Sequence, residues 1–196
     1  MDMDITKQYY KEKSQEFFDS TVIADVSPLH ERFLKYLSAG AHILDLGCGS
    51  GRDTKVFLDR GYFVDAVDGS EELCALASEY TGIEVKCQDF MTINCKDQYD
   101  AIWACASLLH IPSTQLPSLF GKLCDALHAD GIFYMSFKYG DFEGERDERF
   151  FNDMTSEKFR PVLDRVSGLK LVEEWESEDI RRGNNVHWYN AIVRKV

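Results

Sequence analysis

The sequence predicts an α/β fold in which helices cover both faces of a mostly parallel sheet. Three observations lead to this prediction. Short apolar segments alternate with amphipathic helical patterns, glycines close several of the helices, and two strand-like segments follow one another near the C-terminus. Strands that alternate with helices are typical of parallel sheets. We therefore expect one domain over residues 1–196, with helices in residues 1–40 and the sheet within 41–196.

The first forty residues are predicted to be helical. Residues 5–19 form the first helical pattern, with Phe17 among its apolar positions. Ser27 and Pro28 then supply an N-cap followed by proline at the first helical position. Gly40 ends the second helix, as glycine often does.

Strands and helices alternate regularly after residue 41. The predicted strands are 42–46, 62–67, 84–88, 100–105 and 131–137, and the predicted helices are 52–60, 71–80 and 114–129. Ser70 is a suitable cap for the helix over 71–80. Apolar residues in 114–129 recur at helical spacing.

Two further strands, 169–176 and 186–195, flank a short polar loop that contains Gly183. Two strands joined by such a loop are typical of a hairpin. We therefore expect one antiparallel strand at or near an edge of the sheet.

Composition favours a folded cytosolic protein. The apolar fraction is 44%, enough for a packed core, and no apolar run is long enough to span a membrane. The N-terminal residues lack the features of a signal peptide. The six cysteines show no C-x-x-C spacing, which favours free buried thiols over a disulfide framework or a metal site.

The net charge of −12 limits the partners that we expect. Acidic residues number 34 and basic residues 22, so the surface repels nucleic acid unless its basic residues are concentrated in one patch. A small molecule is therefore the expected partner, the charge disfavours nucleic acid, and no membrane is expected. We expect a monomer or a homodimer.

Residues 43–53, "ILDLGCGSGRD", place a glycine-rich turn after the first strand. A P-loop needs lysine and Ser or Thr where Arg52 and Asp53 stand. A dinucleotide fingerprint needs its third glycine at Arg52. Asp45, placed toward the turn, would repel a pyrophosphate and would suit a cationic ligand without phosphate.

The turn resembles the first motif of the class I S-adenosylmethionine-dependent methyltransferases. Later segments resemble the following motifs in order: "AVDGS" at 66–70, "CQDF" at 87–90, "YDAIWACASLLHIP" at 99–112 and "ALHADGIFYMSF" at 126–137. Asp130 departs from the proline or glycine of many relatives. The resemblance extends from about residue 40 to the end of the chain. In its compact size and its "GCGSGRD" segment, the chain also resembles the small bacterial, tellurite-resistance-like members of the class.

The resemblance implies a Rossmann-like seven-stranded sheet of order 3-2-1-4-5-7-6 with strand 7 antiparallel. It implies S-adenosyl-L-methionine as cofactor and S-adenosyl-L-homocysteine as product. Its implied cofactor-binding residues are Tyr10, Asp45, Gly47, Cys48, Gly49, Gly51, Arg52, Asp68, Gly69, Ser70, Asp89, Phe90, Ala104, Cys105 and Leu109.

Three of these residues have implied roles that compete with structural ones. Asp68 would hold the two ribose hydroxyls, or it would only cap the helix that follows. Asp89 would face the adenine amino group while Phe90 packs on the ring. Alternatively, these two are a strand end and a core aromatic.

His110 follows the fourth strand, where a methyl acceptor should approach. Histidine titrates in the range of a general base, so we interpret His110 as the catalytic candidate, with a packed pocket wall as the alternative. Tyr9 and Tyr10 lie on an N-terminal helix that covers the cofactor as a lid or simply packs there.

The segment 138–150 is the predicted acceptor loop, with solvated surface as the alternative. Its expected contacts are Lys138, Tyr139 and Arg146. Arg181 and Arg182 would bind an acceptor carboxylate or lie in a solvated turn. Trp188 is interpreted as a pocket wall or as edge-strand packing.

These observations predict an enzyme that transfers a methyl group from S-adenosylmethionine to a small-molecule acceptor. Methylation of RNA or protein, a non-catalytic cofactor-binding module and a dinucleotide oxidoreductase remain alternatives. The sequence does not identify the atom that is methylated.

Overall fold

A computed structural model of the chain describes residues 2–179 and 186–196, with side chains from residue 5 onward. The predicted hairpin loop around Gly183, with Arg181 and Arg182, lies outside the described residues.

The described residues form nine strands. They are β1 His42–Leu46, β2 Phe63–Asp68, β3 Val85–Cys87, β4 Tyr99–Ala104, β5 Leu127–Lys138, β6 Glu143–Arg146, β7 Arg149–Asn152, β8 Leu169–Glu178 and β9 His187–Lys195. Seven of them correspond to the predicted strands, and two more, β6 and β7, were not expected.

Seven of the described strands form one sheet of order β3-β2-β1-β4-β5-β9-β8. The first five strands are parallel, and β9 pairs antiparallel with both β5 and β8. Since β8 and β9 are the sixth and seventh strands predicted, the predicted order and the antiparallel strand are confirmed. The strands β6 and β7 form a separate antiparallel hairpin.

Helices precede the sheet and connect its strands. They are α1 Asp2–Glu12, α2 Ser14–Thr21, α3 Ser27–Leu34, α4 Arg52–Asp59, α5 Glu71–Thr81, α6 Leu116–Ala126 and α7 Ser156–Leu163. Within the two described ranges, none of the helices has both the length and the apolar character that crossing a membrane requires.

Apolar clusters cover both faces of the sheet. Consecutive strand residues point to opposite faces and so contribute to different clusters. Ile43 and Trp103 belong to the apolar cluster on one face, with Phe33 of α3, while Leu44 and Ile102 belong to the cluster on the other. The strands therefore read as nearly continuous apolar runs, as expected for a covered parallel sheet.

Several predicted boundaries are wrong. The helix over 5–19 is divided at Lys13 into α1 and α2. Ser27 is the first residue of α3 rather than its cap, and its N–H donates to Asp25 Oδ1 at 2.9 Å. The helix over 114–129 ends at Ala126 because Leu127 already pairs with Tyr99 in the sheet.

The predicted acceptor loop is regular structure over much of its length. It contains β6 and the start of β7, and α7 follows. Thr155 caps α7 by accepting a hydrogen bond from the Lys158 N–H at 3.4 Å. Short strands and a helix that contains Pro161 give weak periodic patterns, which is why the sequence did not predict them.

All six cysteines are free thiols, as predicted, but burial is uneven. Cys48, Cys74 and Cys124 are buried, whereas Cys87 is exposed. No group of three or more His, Cys, Asp or Glu side chains in the described part of the chain could hold a metal ion.

Candidate functional site

A cavity of about 330 Å³ lies at the carboxyl ends of the parallel strands. The loops after β1, β2 and β4 form one side, and α1 and α2 cover it. Ligands of open α/β sheets bind at this edge. The cavity is therefore the candidate functional site.

The glycine turn after β1 brings the backbone close to the cavity. Gly47 and Gly49 line the cavity and have φ of +79° and +56°, a region that favours glycine. The Gly47 N–H donates to the Val67 carbonyl at 2.8 Å. A Cβ added at Gly47 would lie 2.4 Å from Ser107 Cβ, so the turn is closely packed as well as tight.

Gly51 serves packing rather than the cavity. Its φ is +75°, and an added Cβ would lie 2.7 Å from Thr81 Cγ2 of α5. It does not line the cavity. Gly51 thus lies outside the cavity and allows the close approach of α4 to α5.

Asp68 ends β2 and faces the cavity with a fixed carboxylate. Its Oδ2 accepts a hydrogen bond from the Gly49 N–H at 2.9 Å, and its Oδ1 accepts one from the Ser70 N–H at 3.0 Å. Burial raises the pKa of Asp68, and these N–H groups oppose the shift. Ser70 itself caps α5 by accepting from the Leu73 N–H at 3.3 Å, so Asp68 is not needed as that cap.

Asp89 and Phe90 also line the cavity, after β3. Asp89 Oδ2 accepts from Lys7 Nζ of α1 at 2.8 Å, and its Oδ1 accepts from the Met91 N–H at 2.9 Å. Burial disfavours the charged form, but Lys7 and the Met91 N–H hold the pKa of Asp89 below its usual value. The cavity wall therefore presents the Asp89 carboxylate, which accepts hydrogen bonds, next to the aromatic ring of Phe90.

The structure does not place Asp45 where the sequence predicted it. Asp45 is 2% exposed, accepts a hydrogen bond from Thr54 Oγ1 at 2.5 Å, and does not line the cavity. Burial raises its pKa to about 8, and Asp53 adds to the shift. The residue points beneath the turn toward α4, so it gives no direct selection for a cationic ligand. Ala104 is likewise fully buried and outside the lining.

A buried charge network lies below the turn. Arg52 donates through Nε and Nη2 to the two carboxylate oxygens of Asp53, at 2.7 and 2.8 Å. Trp103 Nε1 donates to Asp53 Oδ2 at 2.8 Å, and His30 Nε2 lies 2.9 Å from Oδ1. Although burial opposes it, the pKa of Asp53 lies far below its usual value because of Arg52 and His30. Sequence reasoning missed Asp53 and His30, since their meeting depends on the packing of α3.

His110 has a defined tautomer in the cavity wall. Its Nδ1 lies 2.7 Å from the Phe150 carbonyl oxygen, which can only accept, so Nδ1 carries the proton. Its Nε2 lies 2.9 Å from the Tyr10 hydroxyl and accepts from it. Burial lowers the pKa of His110 to about 4, and Arg149 and Lys138 contribute. The imidazole is therefore neutral at pH 7.

A group of cations surrounds Phe151 at the same end of the cavity. Lys138, Arg149 and Phe151 line the cavity, as does Trp188. Lys138 Nζ lies 4.1 Å and Arg149 Cζ 5.0 Å from the centroid of the Phe151 ring.

Two of the three residues predicted from the acceptor loop lie elsewhere. Tyr139 is 43% exposed, and Arg146 pairs with Asp153; neither lines the cavity. Arg149 and Phe151 were missed because the four residues of β7 are too few to give a clear alternating pattern.

Most of the predicted site residues meet in this cavity. Those that line it are Tyr10, Gly47, Cys48, Gly49, Arg52, Asp68, Gly69, Ser70, Asp89, Phe90, Cys105, Leu109 and His110.

Sequence comparison identifies the central part of the chain. Residues 43–131 match the family model of the methyltransferase domain. An uncharacterized methyltransferase of Staphylococcus carnosus is 24% identical over 137 residues, which cover 66% of this chain and 64% of that protein. A ubiquinone biosynthesis O-methyltransferase of Coxiella burnetii is 33% identical over 109 residues, covering 50% of this chain and 45% of that protein. The chain thus spans between about half and two thirds of these relatives.

Solved structures share the fold over nearly the whole chain. The 1,6-didemethyltoxoflavin-N1-methyltransferase of Burkholderia thailandensis, solved with 1,6-didemethyltoxoflavin and S-adenosylhomocysteine, has a TM-score of 0.81 at 19% identity and covers 99% of this chain and 88% of that one. The magnesium protoporphyrin IX methyltransferase of Synechocystis, solved with S-adenosylmethionine, has a TM-score of 0.77 at 14% identity and covers 100% and 98%. Residues 43–131 thus match a methyltransferase domain, and the chain has the fold of these two S-adenosylmethionine-dependent enzymes.

Proposed function

We propose that the protein transfers the methyl group of S-adenosylmethionine to a small-molecule acceptor. The observation that carries this proposal is the Asp68 carboxylate, which the glycine turn holds at the cavity wall. Each of its oxygens has a further lone pair beyond the one used by a backbone N–H. Asp68 can therefore accept hydrogen bonds from the two hydroxyls of a ribose.

The other residues fit the remaining parts of the same cofactor. Asp89 offers acceptor oxygens for the adenine amino group, and Phe90 offers a ring for its face. The backbone of Gly47 and Gly49, which has no Cβ, leaves room for the amino-acid portion. The carboxylates on this side would repel the phosphates of a dinucleotide.

The acceptor side of the cavity contains a base and a means of excluding water. S-adenosylmethionine supplies an electrophilic methyl group when bound. The Nε2 of His110 is unprotonated at pH 7, and the Tyr10 hydroxyl connects it to the cavity. We infer that an acceptor O–H, N–H or S–H loses its proton to the Tyr10 oxygen while the Tyr10 hydroxyl passes its own proton to His110 Nε2. The helices α1 and α2 exclude water from this space.

A small acceptor is supported by charge and by a structural neighbour. The net charge of −12 opposes nucleic acid as the acceptor. The Burkholderia thailandensis enzyme, which has the same fold, holds a small molecule together with S-adenosylhomocysteine. We propose the same division of the cavity here, without assigning that compound to this protein.

Cofactor binding tests the first half of the proposal. S-adenosylhomocysteine at one hundred times its Kd stabilises a protein by about 2.7 kcal/mol, so we expect Tm to rise by roughly 5–10 °C. NAD should leave Tm unchanged. Asp68→Asn should weaken S-adenosylhomocysteine binding by at least about tenfold in calorimetry, while the exposed α5 variant Glu79→Gln should bind normally. A rise in Tm with NAD alone would contradict the proposal.

Turnover tests the second half. A screen for methylated products over thiols, phenols, amines and short acids identifies the acceptor class. With an acceptor found, His110→Asn should reduce kcat by about tenfold or more and leave the Kd of S-adenosylhomocysteine unchanged. An unaltered kcat would remove His110 from the mechanism and leave only a packing role.

A further inference from the structure

We propose that Lys138 and Arg149 form an anion-binding subsite, and that the methyl acceptor carries a carboxylate or another oxyanion there. This inference rests on the methyltransferase function proposed above and names the class of its acceptor.

The two cations share one small region of the cavity. Lys138 ends β5 and Arg149 begins β7, and both line the cavity. Both lie over the ring of Phe151, which is itself 5.1 Å from the ring of His110, centroid to centroid. An anionic group held between them would place the rest of the acceptor beside His110.

The neighbouring cations have carboxylate partners, whereas Lys138 and Arg149 pair with no carboxylate of the described residues. Arg52 pairs with Asp53, Lys7 with Asp89 and Arg146 with Asp153. Among the described residues, no carboxylate lies within ion-pair distance of Lys138 Nζ or the Arg149 guanidinium. Arg149 Nε donates to the Asp147 carbonyl at 3.4 Å, and its guanidinium lies over the rings of Tyr9 and Tyr10, at 4.1 and 5.9 Å from their centroids.

The local electrostatics favour an incoming anion. Burial lowers the pKa of Lys138, and Arg146 and Arg149 lower it further, while Asp153 and Asp147 oppose the shift. A partly buried cation without a counter-ion is costly, and a ligand oxyanion that accepts hydrogen bonds from it removes that cost. Arg149 adds a planar donor pair that fits a carboxylate.

The carboxylates of the cavity lie on other elements. Asp68 and Asp89 follow β2 and β3, on the side proposed for the ribose and adenine. Glu178 and Asp179 line the cavity at the end of β8. Asp68 and Asp89 thus lie on the side proposed for the nucleoside, whereas Lys138 and Arg149 lie at the end beside His110.

A carboxylate could come from the acceptor or from the amino-acid portion of the cofactor, and the experiment separates them. With S-adenosylhomocysteine saturating, calorimetry compares acids with their neutral amides: benzoate with benzamide, phenylacetate with its amide, and indole-3-carboxylate with its amide. At least one acid should bind about tenfold more tightly than its amide. Lys138→Met and Arg149→Met should each abolish that preference, whereas Lys138→Arg and the exposed β8 control Lys170→Met should retain it.

A second comparison tests the cofactor as the source of the anion. 5′-Methylthioadenosine lacks the amino-acid portion of S-adenosylhomocysteine. We expect Lys138→Met and Arg149→Met to leave the affinity for both nucleosides within about twofold of the wild type, which also shows that the variants are folded.

Two results overturn the inference. One is equal binding of acid and amide in every pair while S-adenosylhomocysteine binds normally. The other is a loss of S-adenosylhomocysteine affinity in both variants with 5′-methylthioadenosine binding intact, which would assign the cations to the cofactor carboxylate. Failure of S-adenosylhomocysteine to bind the wild-type protein would instead contradict the proposed function.

Discussion

At the residue scale, one histidine and one tyrosine connect the N-terminal helix to the chemistry of the cavity. The Phe150 carbonyl fixes the proton of His110 on Nδ1, and the Tyr10 hydroxyl occupies Nε2. Burial, the largest influence, keeps the imidazole neutral, and Arg149 and Lys138 disfavour its cation. The basic atom of the proposed base is therefore Nε2.

The lowered pKa of His110 predicts a stability that depends on pH. The unfolded chain binds a proton near pH 6.5 and the folded chain near pH 4, so stability is lost as the pH falls through this interval. Between pH 7.5 and 4.5 this group should cost the wild type about 2 kcal/mol. His110→Asn, which keeps an N–H for the Phe150 carbonyl, should lose that much less on acidification.

Urea denaturation at the two pH values measures this difference. His128→Asn, which removes an exposed histidine that pairs with Asp100, is the control and should lose at least as much stability on acidification as the wild type. Parallel losses in the wild type and His110→Asn would show that the imidazole titrates normally in the folded protein.

At the element scale, the glycine turn combines two requirements that a single substitution can separate. Gly47 and Gly61 have similar positive φ, of +79° and +84°. An added Cβ at Gly61 would meet nothing within 4 Å, whereas at Gly47 it would overlap Ser107 and touch Phe90. Gly61 is therefore required only for its backbone conformation, whereas Gly47 is required both for its backbone conformation and because a Cβ would not fit.

Alanine at these two positions should therefore have unequal effects. Both variants pay about 1–2 kcal/mol for the left-handed conformation. Gly47→Ala should lose roughly a further 1–3 kcal/mol because the Ser107 loop must move, and its S-adenosylhomocysteine affinity should fall. Urea denaturation and calorimetry measure the two effects. Equal losses of stability would show that the turn adapts freely.

At the scale of the whole molecule, a buried network joins the N-terminal helices to the sheet. Asp53 of α4 accepts hydrogen bonds from Arg52, from Trp103 of β4 and from His30 of α3. Trp103 and His30 come from segments distant in the chain, and Arg52 follows the glycine turn directly. The network therefore holds the wall of the cavity against the core.

Removing the charge of Asp53 should destabilise the fold strongly. Asp53→Asn leaves the Arg52 guanidinium enclosed without its carboxylate, and loss of one member of a buried pair costs about 3–5 kcal/mol. Asp59→Asn breaks only the surface pair with Lys55 and should cost less than about 1 kcal/mol. Chemical denaturation of the two variants checks this, and similar small losses in both would contradict a structural role for the network.

Much of the fold was accessible from the sequence because its signals are local. Strands buried on both faces give apolar runs, and capping residues such as Ser70 mark helix starts. The hairpin β6–β7 and the helix α7 were missed because they are short and acquire their apolar partners only in the tertiary structure. Leu127 shows the same limit, since pairing with Tyr99 ends α6 before its helical pattern ends.

The sequence by itself determined the glycine turn and, through its resemblance to the methyltransferases, the sheet order. It also pointed to Asp68, Asp89 and His110, which meet at one cavity because parallel strands bring their carboxyl ends to one edge. Only the tertiary structure decided which way each side chain points. Asp45 turns beneath the loop to Thr54, and Arg149 rather than Arg146 faces the cavity, because Asp153 holds Arg146 away. Contacts between segments distant in sequence set these directions, and no local pattern encodes them.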